Sequence, residues 1–150
     1  MCTDTISTEY NLDARTGSCY KFHRRGLPWS RAYMTCAAER AHLAIVNSAE
    51  ESEVLKDLYA KNPDNLIFSN EPGIAAIGLN ISGETLKQAG FDRFRDGEPN
   101  NSTHARTGDD GEYCGSIVRS GNLNDVWCKV HIPFICEKKP DSLYLDFEDH

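Results

Sequence analysis

Apolar and polar positions along the chain follow two different periods. Over residues 28–40, Trp29, Ala32, Tyr33, Cys36, Ala37 and Arg40 recur at the spacing of one helical face, and all but the last are apolar. The spacing predicts a helix, with Pro28 tolerated in the first turn and the Trp29/Tyr33 stripe packed in the core. A second helix of roughly a dozen residues is expected after Ser48-Ala49-Glu50-Glu51, where a serine cap is followed three positions on by glutamate. Leu55, Leu58 and Tyr59 supply its inner face, and Asn62-Pro63 ends it. Elsewhere the chain reads as strand and turn. In residues 1–25, Tyr10-Asn11-Leu12 and Cys19-Tyr20-Lys21-Phe22 flank the turn-rich Asp13-Ala14-Arg15-Thr16-Gly17, giving an opening strand or hairpin. Residues 42–46 form a short connecting strand and residues 74–79 a strand of the buried type. Further strands are expected at 114–119, 123–129 and 132–137. Residues 80–113 are polar and rich in Gly, Asn and Asp, a length of loop that signals function or disorder in a compact domain. The order predicts an α+β fold, two helices packed beside an antiparallel sheet.

Composition narrows this picture. The chain has 150 residues, 39% of them hydrophobic, which suits one domain with one core. Residues 1–138 are assigned to that domain. Residues 139–150, with Pro140 and four acids, are assigned to an acidic tail or linker. The net charge of −7 disfavours nucleic acid, whose binders carry a basic footprint. His23-Arg24-Arg25 and Arg93/Arg95 read as solvated faces. No apolar run approaches the ~18–20 residues of a membrane span, so no membrane insertion is expected. Met1 leads directly into Cys2-Thr3-Asp4 with no visible signal peptide, which also fits a start codon placed before a mature secreted fragment. The six cysteines lack any CxxC spacing, which argues against zinc and for disulfides in an oxidising, extracellular compartment; buried reduced thiols are the alternative. Cys2 and Cys19 bracket the opening hairpin and could staple it. Six cysteines still allow 15 connectivities.

The candidate chemistry gathers around Glu98-Pro99-Asn100, Glu112 and Asn124-Asp125. Three carboxylates and two amides, with no His or Cys, make a hard-cation set suited to Ca²⁺. Side chains at 98 and 100 converge on one ion only if the backbone between them bends, and a cis Glu98–Pro99 bond supplies that bend. A glycosidase carboxylate pair would leave the proline and the amides unexplained. His23, His42, His131 and His150 read as surface or packing residues, and His104, beside the acidic cluster, as a site candidate.

These residues together resemble a C-type lectin domain over about residues 17–138. The resemblance rests on Cys36, Cys114, Cys128 and Cys136, on Ile77-Gly78-Leu79, on Glu98-Pro99-Asn100, on Glu112 two before Cys114, and on Asn124-Asp125 three before Cys128. The extra pair, Cys2 and Cys19, resembles the long form of the family. "RTGSCYKFH" and "PFICEKK" resemble secreted insect immune lectins. The resemblance implies bridges Cys2–Cys19, Cys36–Cys136 and Cys114–Cys128. It implies that Glu98, Asn100, Glu112, Asn124 and Asp125 bind both Ca²⁺ and a sugar; apart from the resemblance, His104, in the long segment 101–111 beside these residues, is expected to extend the sugar contact. The order Glu-Pro-Asn implies a mannose-type sugar: mannose, fucose, glucose or N-acetylglucosamine. Leu123 stands where the family usually has tryptophan. Ile81, Asn101 and Tyr113 stand where acids of a second calcium site would lie, so one site is expected. The sequons at Asn80, Asn100 and Asn101 overlap the site, and Asn100 is expected unmodified. The implied biology is recognition of glycans on microbial or cellular surfaces in innate immunity, without catalysis, with avidity from oligomerisation or a second lectin domain. The alternative is a protein-binding module on the same fold.

Overall fold

The computed structural model describes Cys2 and residues 9–46, 48–78 and 113–140. The Glu98–Pro99 bond, His104, the sequons, Arg93/Arg95 and His150 lie outside the described residues, as do the ligand candidates Glu98, Asn100 and Glu112. The elements run β1 (Asn11–Asp13), β2 (Ser18–Leu27), α1 (Trp29–Ala38), β3 (His42–Leu43), α2 (Ala49–Ala60), a 3₁₀ turn (Asp64–Leu66), β4 (Ile74–Ala76), β5 (Tyr113–Val118), β6 (Leu123–Trp127) and β7 (Ile132–Lys138). All the described strands join one sheet in the order β1-β2-β7-β4-β5-β6, with β3 paired to β7 beside that path.

The sheet is mixed rather than antiparallel throughout. β4 meets β7 in parallel through Ala76↔Phe134, while every other pair is antiparallel. The reason is that β7 sits at the centre. One edge takes β2, and the other is shared by β3 at Glu137 and Cys136 and by β4 at Phe134. All seven residues of β7 are buried, as a strand covered on both faces must be.

Side-chain alternation divides the core into two clusters. On one side, Val54, Leu55 and Tyr59 of α2 pack with Tyr20, Ala75, Ile117, Leu123 and Ile135. On the other, Ala32 and Cys36 of α1 pack with Cys19, Ala76, Val126, Phe134 and Cys136. Neighbouring residues of β4 and β7 thus serve opposite clusters. The helices cover opposite faces of the sheet, which is more specific than the two helices beside a sheet expected from the sequence.

The two helices are held differently. Ser48 caps α2 by accepting a hydrogen bond from the Glu51 N–H at 3.2 Å, as the capping box predicts. Asn62 closes the far end, its side-chain amide donating to the Leu58 carbonyl at 2.9 Å. No side chain caps α1. Its first N–H, from Trp29, donates instead to the Cys128 carbonyl at 2.9 Å. The Trp29/Tyr33 stripe is not core: Tyr33 is 52% exposed, and Trp29 is half-buried with its Nε1 donating to the Ile77 carbonyl at 2.9 Å. Ala32 and Cys36 alone carry the buried face of the helix.

All six cysteines are paired, as Cys2–Cys19, Cys36–Cys136 and Cys114–Cys128. The Cys36–Cys136 bridge ties α1 to the central strand, and Cys2–Cys19 ties the N-terminal segment to β2. Gly78 fits where β4 passes the end of β3, its N–H donating to the Ala44 carbonyl at 2.6 Å. A Cβ there would lie 2.7 Å from the Leu43 carbonyl oxygen, a backbone atom that cannot step aside. Gly78→Ala is therefore expected to cost about 1–3 kcal/mol, the ordinary cost of overpacking. Thermal melts should show a midpoint several degrees lower; an unchanged midpoint would mean the β3–β4 contact is looser than described.

Candidate functional site

The β5–β6 hairpin carries the two described ligand candidates. Its turn uses Gly121 at φ +92°, a conformation that strains any side chain. The turn is anchored to α2, since the Ser52 hydroxyl donates to the Gly121 carbonyl. The register sets Asn124 opposite Ser116 and Asp125 opposite Gly115. The Ser116 hydroxyl, fully buried, donates to the Asn124 carbonyl at 3.1 Å. At the other end Cys114–Cys128 closes the hairpin with a Cα–Cα distance of 5.1 Å. Among the described residues β6 ends the strand order.

Asn124 is buried, and Asp125 is half-buried with its Oδ1 withdrawn from solvent. Adjacent strand residues face opposite sides, so Asn124 falls with Val126 and Asp125 with Leu123 and Trp127. The strand brings the two backbones together without making their side chains parallel. The donor chemistry is oxygen only, one amide and one carboxylate, and fits a hard cation such as Ca²⁺ better than zinc. Leu123, which replaces the tryptophan usual in the resembled family, is fully buried in the α2-side cluster and acts as packing. Trp127 was not singled out from the sequence. It lies two positions from Asp125, a spacing that places it on the same face and that could have drawn attention to it.

A second cluster has ligand-type atoms but no ligand role. His23, Glu39 and Cys136 approach one another within 4.8 Å. Cys136 is in a disulfide and has no thiolate to give. His23 Nε2 lies 3.1 Å from Glu39 Oε1, and its ring stacks on Phe134 at 4.4 Å. Burial holds His23 below its ordinary pKa, against the pull of Glu39. Burial pushes the Glu39 carboxyl up, but the Tyr10 hydroxyl at 2.6 Å, His23 and Lys21 together hold it below its ordinary value. This is a packed polar bridge between β2 and the end of α1. His23 is accordingly a packing residue and not part of a solvated basic face, whereas Arg24 and Arg25 are exposed. His42 and His131 are exposed as well. No described helix is long and apolar enough to cross a membrane.

Two helices on opposite faces of a disulfide-tied mixed sheet, with an oxygen-donor pair on the β5–β6 hairpin, define the class of domain. Residues 25–138 match the family described as the lectin C-type domain, and the chain belongs to that family. A hemolymph lipopolysaccharide-binding protein of Periplaneta americana is 34% identical over 89% of this chain and 53% of its own length. Asialoglycoprotein receptor 2 of Mus musculus is 31% identical over 82% of this chain and 39% of its own length. The chain thus spans about half or less of these relatives. Among solved structures, the mouse scavenger receptor C-type lectin carbohydrate-recognition domain superposes with a TM-score of 0.63 at 21% identity, covering 88% of this chain and 96% of that one.

Proposed function

We propose that residues 1–138 form one carbohydrate-recognition domain that binds a mannose-type sugar through a single Ca²⁺, with 139–150 as tail or linker. The observation that carries the reading is the chemistry of Asn124 and Asp125, two successive oxygen donors on β6. They sit on a strand whose partner, β5, begins immediately after Glu112 in the chain. Glu98, Asn100 and Glu112 complete the set in this reading. The ion, when bound, supplies positive charge and open coordination positions for two neighbouring sugar hydroxyls. The carboxylates of Glu98 and Glu112 accept hydrogen bonds from those hydroxyls, and the amides of Asn100 and Asn124 donate to them. Asp125 completes the charge that holds the cation, and His104 extends the sugar contact. No bond is made or broken, so the domain is a binder and not an enzyme.

The lipopolysaccharide-binding relative in hemolymph supports a secreted protein that recognises glycans of microbial or cellular surfaces in innate immunity. One shallow site binds a monosaccharide weakly, so avidity from several copies or a second lectin domain belongs to the proposal. Retention on immobilised mannose over galactose, in calcium and then in EDTA, tests the reading. Retention on mannose alone, lost with EDTA, is the expected result. Failure to bind either sugar would turn the reading to a protein-binding module on this fold.

A further inference from the structure

The calcium reading leaves a second concavity unused. A cavity of about 590 Å³ opens along the outer edge of β2, between that strand and the C-terminal end of α2. That volume lies within the range of small-ligand sites. Phe22 and Leu58 give it an apolar floor, and Glu9, Lys21, Arg24 and Lys61 give it charge.

The backbone of β2 sets the donors. Ala44 N–H donates to the Ile135 carbonyl at 2.9 Å, so Ile135 points its peptide groups away from β2. Alternation then directs Phe134 and Cys136 of β7 toward His23 and Lys21. The peptide groups of Tyr20, Phe22 and Arg24 therefore face the opposite edge. Tyr20 is covered there by Asn11 of β1, and the Arg24 carbonyl accepts from the Phe68 N–H at 2.8 Å. Between these two covers lie the N–H groups of Phe22 and Arg24 and the Phe22 carbonyl, none with a partner among the described residues. They border the cavity.

The charges add to this. Lys21 is shared by Glu39 at 3.7 Å and Glu9 at 3.9 Å, while Arg24 and Lys61 make no ion pair within 4 Å among the described residues, the acid felt by Lys61 being Asp13. Arg24 is oriented by one bond, Nε donating to Asn62 Oδ1 at 2.7 Å, which leaves its terminal nitrogens as a fork. Neither cation is needed to cap α2. Arg119 already donates to the Tyr59 carbonyl in the last turn at 3.1 Å and to the Asn62 carbonyl just beyond the helix at 2.6 Å.

We infer that this groove is an anion site for a phosphate monoester carried on a sugar-sized body. The Arg24 fork, the Lys61 ammonium and the N–H groups of Phe22 and Arg24 hold the phosphate oxygens. Phe22 and Leu58 receive the apolar face of the ring, and the Phe22 carbonyl accepts from a hydroxyl. The site needs no metal and does not depend on the calcium reading.

The test is amide chemical-shift titration of the whole ¹⁵N-labelled chain with EDTA present throughout, so the lectin site is silent whatever its fate. The probes are inorganic phosphate, glucose 6-phosphate and glucose. Saturable shifts centred on the Phe22 and Arg24 amides are expected with both phosphates and not with glucose. Glucose 6-phosphate should bind more tightly than free phosphate, because it alone covers the floor. Arg24→Gln and Lys61→Gln should each weaken binding about tenfold or more, and Arg31→Gln on the far helix should not. Lys61 is exposed, so K61Q reports binding even if R24Q loosens the groove. Absent or non-saturating shifts, equal affinity in the R24Q/K61Q double variant, or shifts with glucose as large as with its phosphate would each overturn the proposal.

Discussion

Asp125→Ala is expected, under the proposed function, to abolish calcium-dependent retention on mannose and to erase the thermal stabilisation that calcium would give the native chain. Calcium at 100 times its dissociation constant stabilises a folded site by about 2.7 kcal/mol. At about 2–4 °C per kcal/mol for a domain of this size, that is a rise of roughly 5–11 °C in melting temperature. Losing a charged ligand should weaken the ion by at least the ~10–100-fold typical of lost outer-shell partners. The variant should remain folded, because Asp125 faces Gly115 across the ladder while Leu123 and Val126 hold the core contacts of β6. Melting curves with and without calcium, run beside mannose chromatography, separate the two effects. A variant that keeps the full calcium shift would remove Asp125 from the site. A native chain with no calcium shift would remove the site itself.

The second large effect concerns the Cys36–Cys136 bridge. It closes a loop of 100 residues, against 14 for Cys114–Cys128. In the chain-entropy account the two restrict the unfolded chain by about 4.7 and about 3 kcal/mol. Both half-cystines of the longer bridge are fully buried, one on α1 and one on the central strand. Cys36→Ala/Cys136→Ala should therefore lower the melting temperature by roughly 10–20 °C, and by more than Cys114→Ala/Cys128→Ala does. The shorter bridge should instead show itself in calcium affinity, because it closes the hairpin that bears Asn124 and Asp125. If the shorter bridge proved the more stabilising, native-state contacts rather than loop closure would govern both.

Local signals in the sequence were read well where one residue type settles the matter. Ser48 and Glu51 define the start of α2, and Leu55 and Tyr59 its buried face, because cap and stripe act within a few residues. The three late strands fall within two residues of their expected bounds. Pairings between distant segments were less legible. The parallel contact Ala76↔Phe134 joins residues far apart in the chain, and no periodicity within β4 encodes it. For the same reason β3 is shorter than residues 42–46 suggest: β7 has one free edge, and β4 occupies the rest of it. β2 runs on to Leu27 because a register shift between His23 and Leu27 lets it keep pairing to Ile132. Tyr33 misled because helical spacing names a face without saying how much sheet lies beneath it. For the candidate site, Asn124 and Asp125 were legible as oxygen donors next to a cysteine. Trp127 was not, since its relation to Asp125 appears only once both lie on one strand.

The pairing of β4 with β5 has a consequence for redesign. Ile74↔Val118, Ala75↔Ile117 and Ala76↔Ser116 clamp the two strands side by side, and Ile77 N–H adds a bond to the Gly115 carbonyl at 3.1 Å. Whatever joins them must leave and return at neighbouring points on a rigid frame. Loop-closure entropy grows by only about 0.6 kcal/mol per doubling of length. A change in the length of the connection between β4 and β5 therefore costs little in closure entropy, and the clamped strands make the domain a scaffold for graftable specificity.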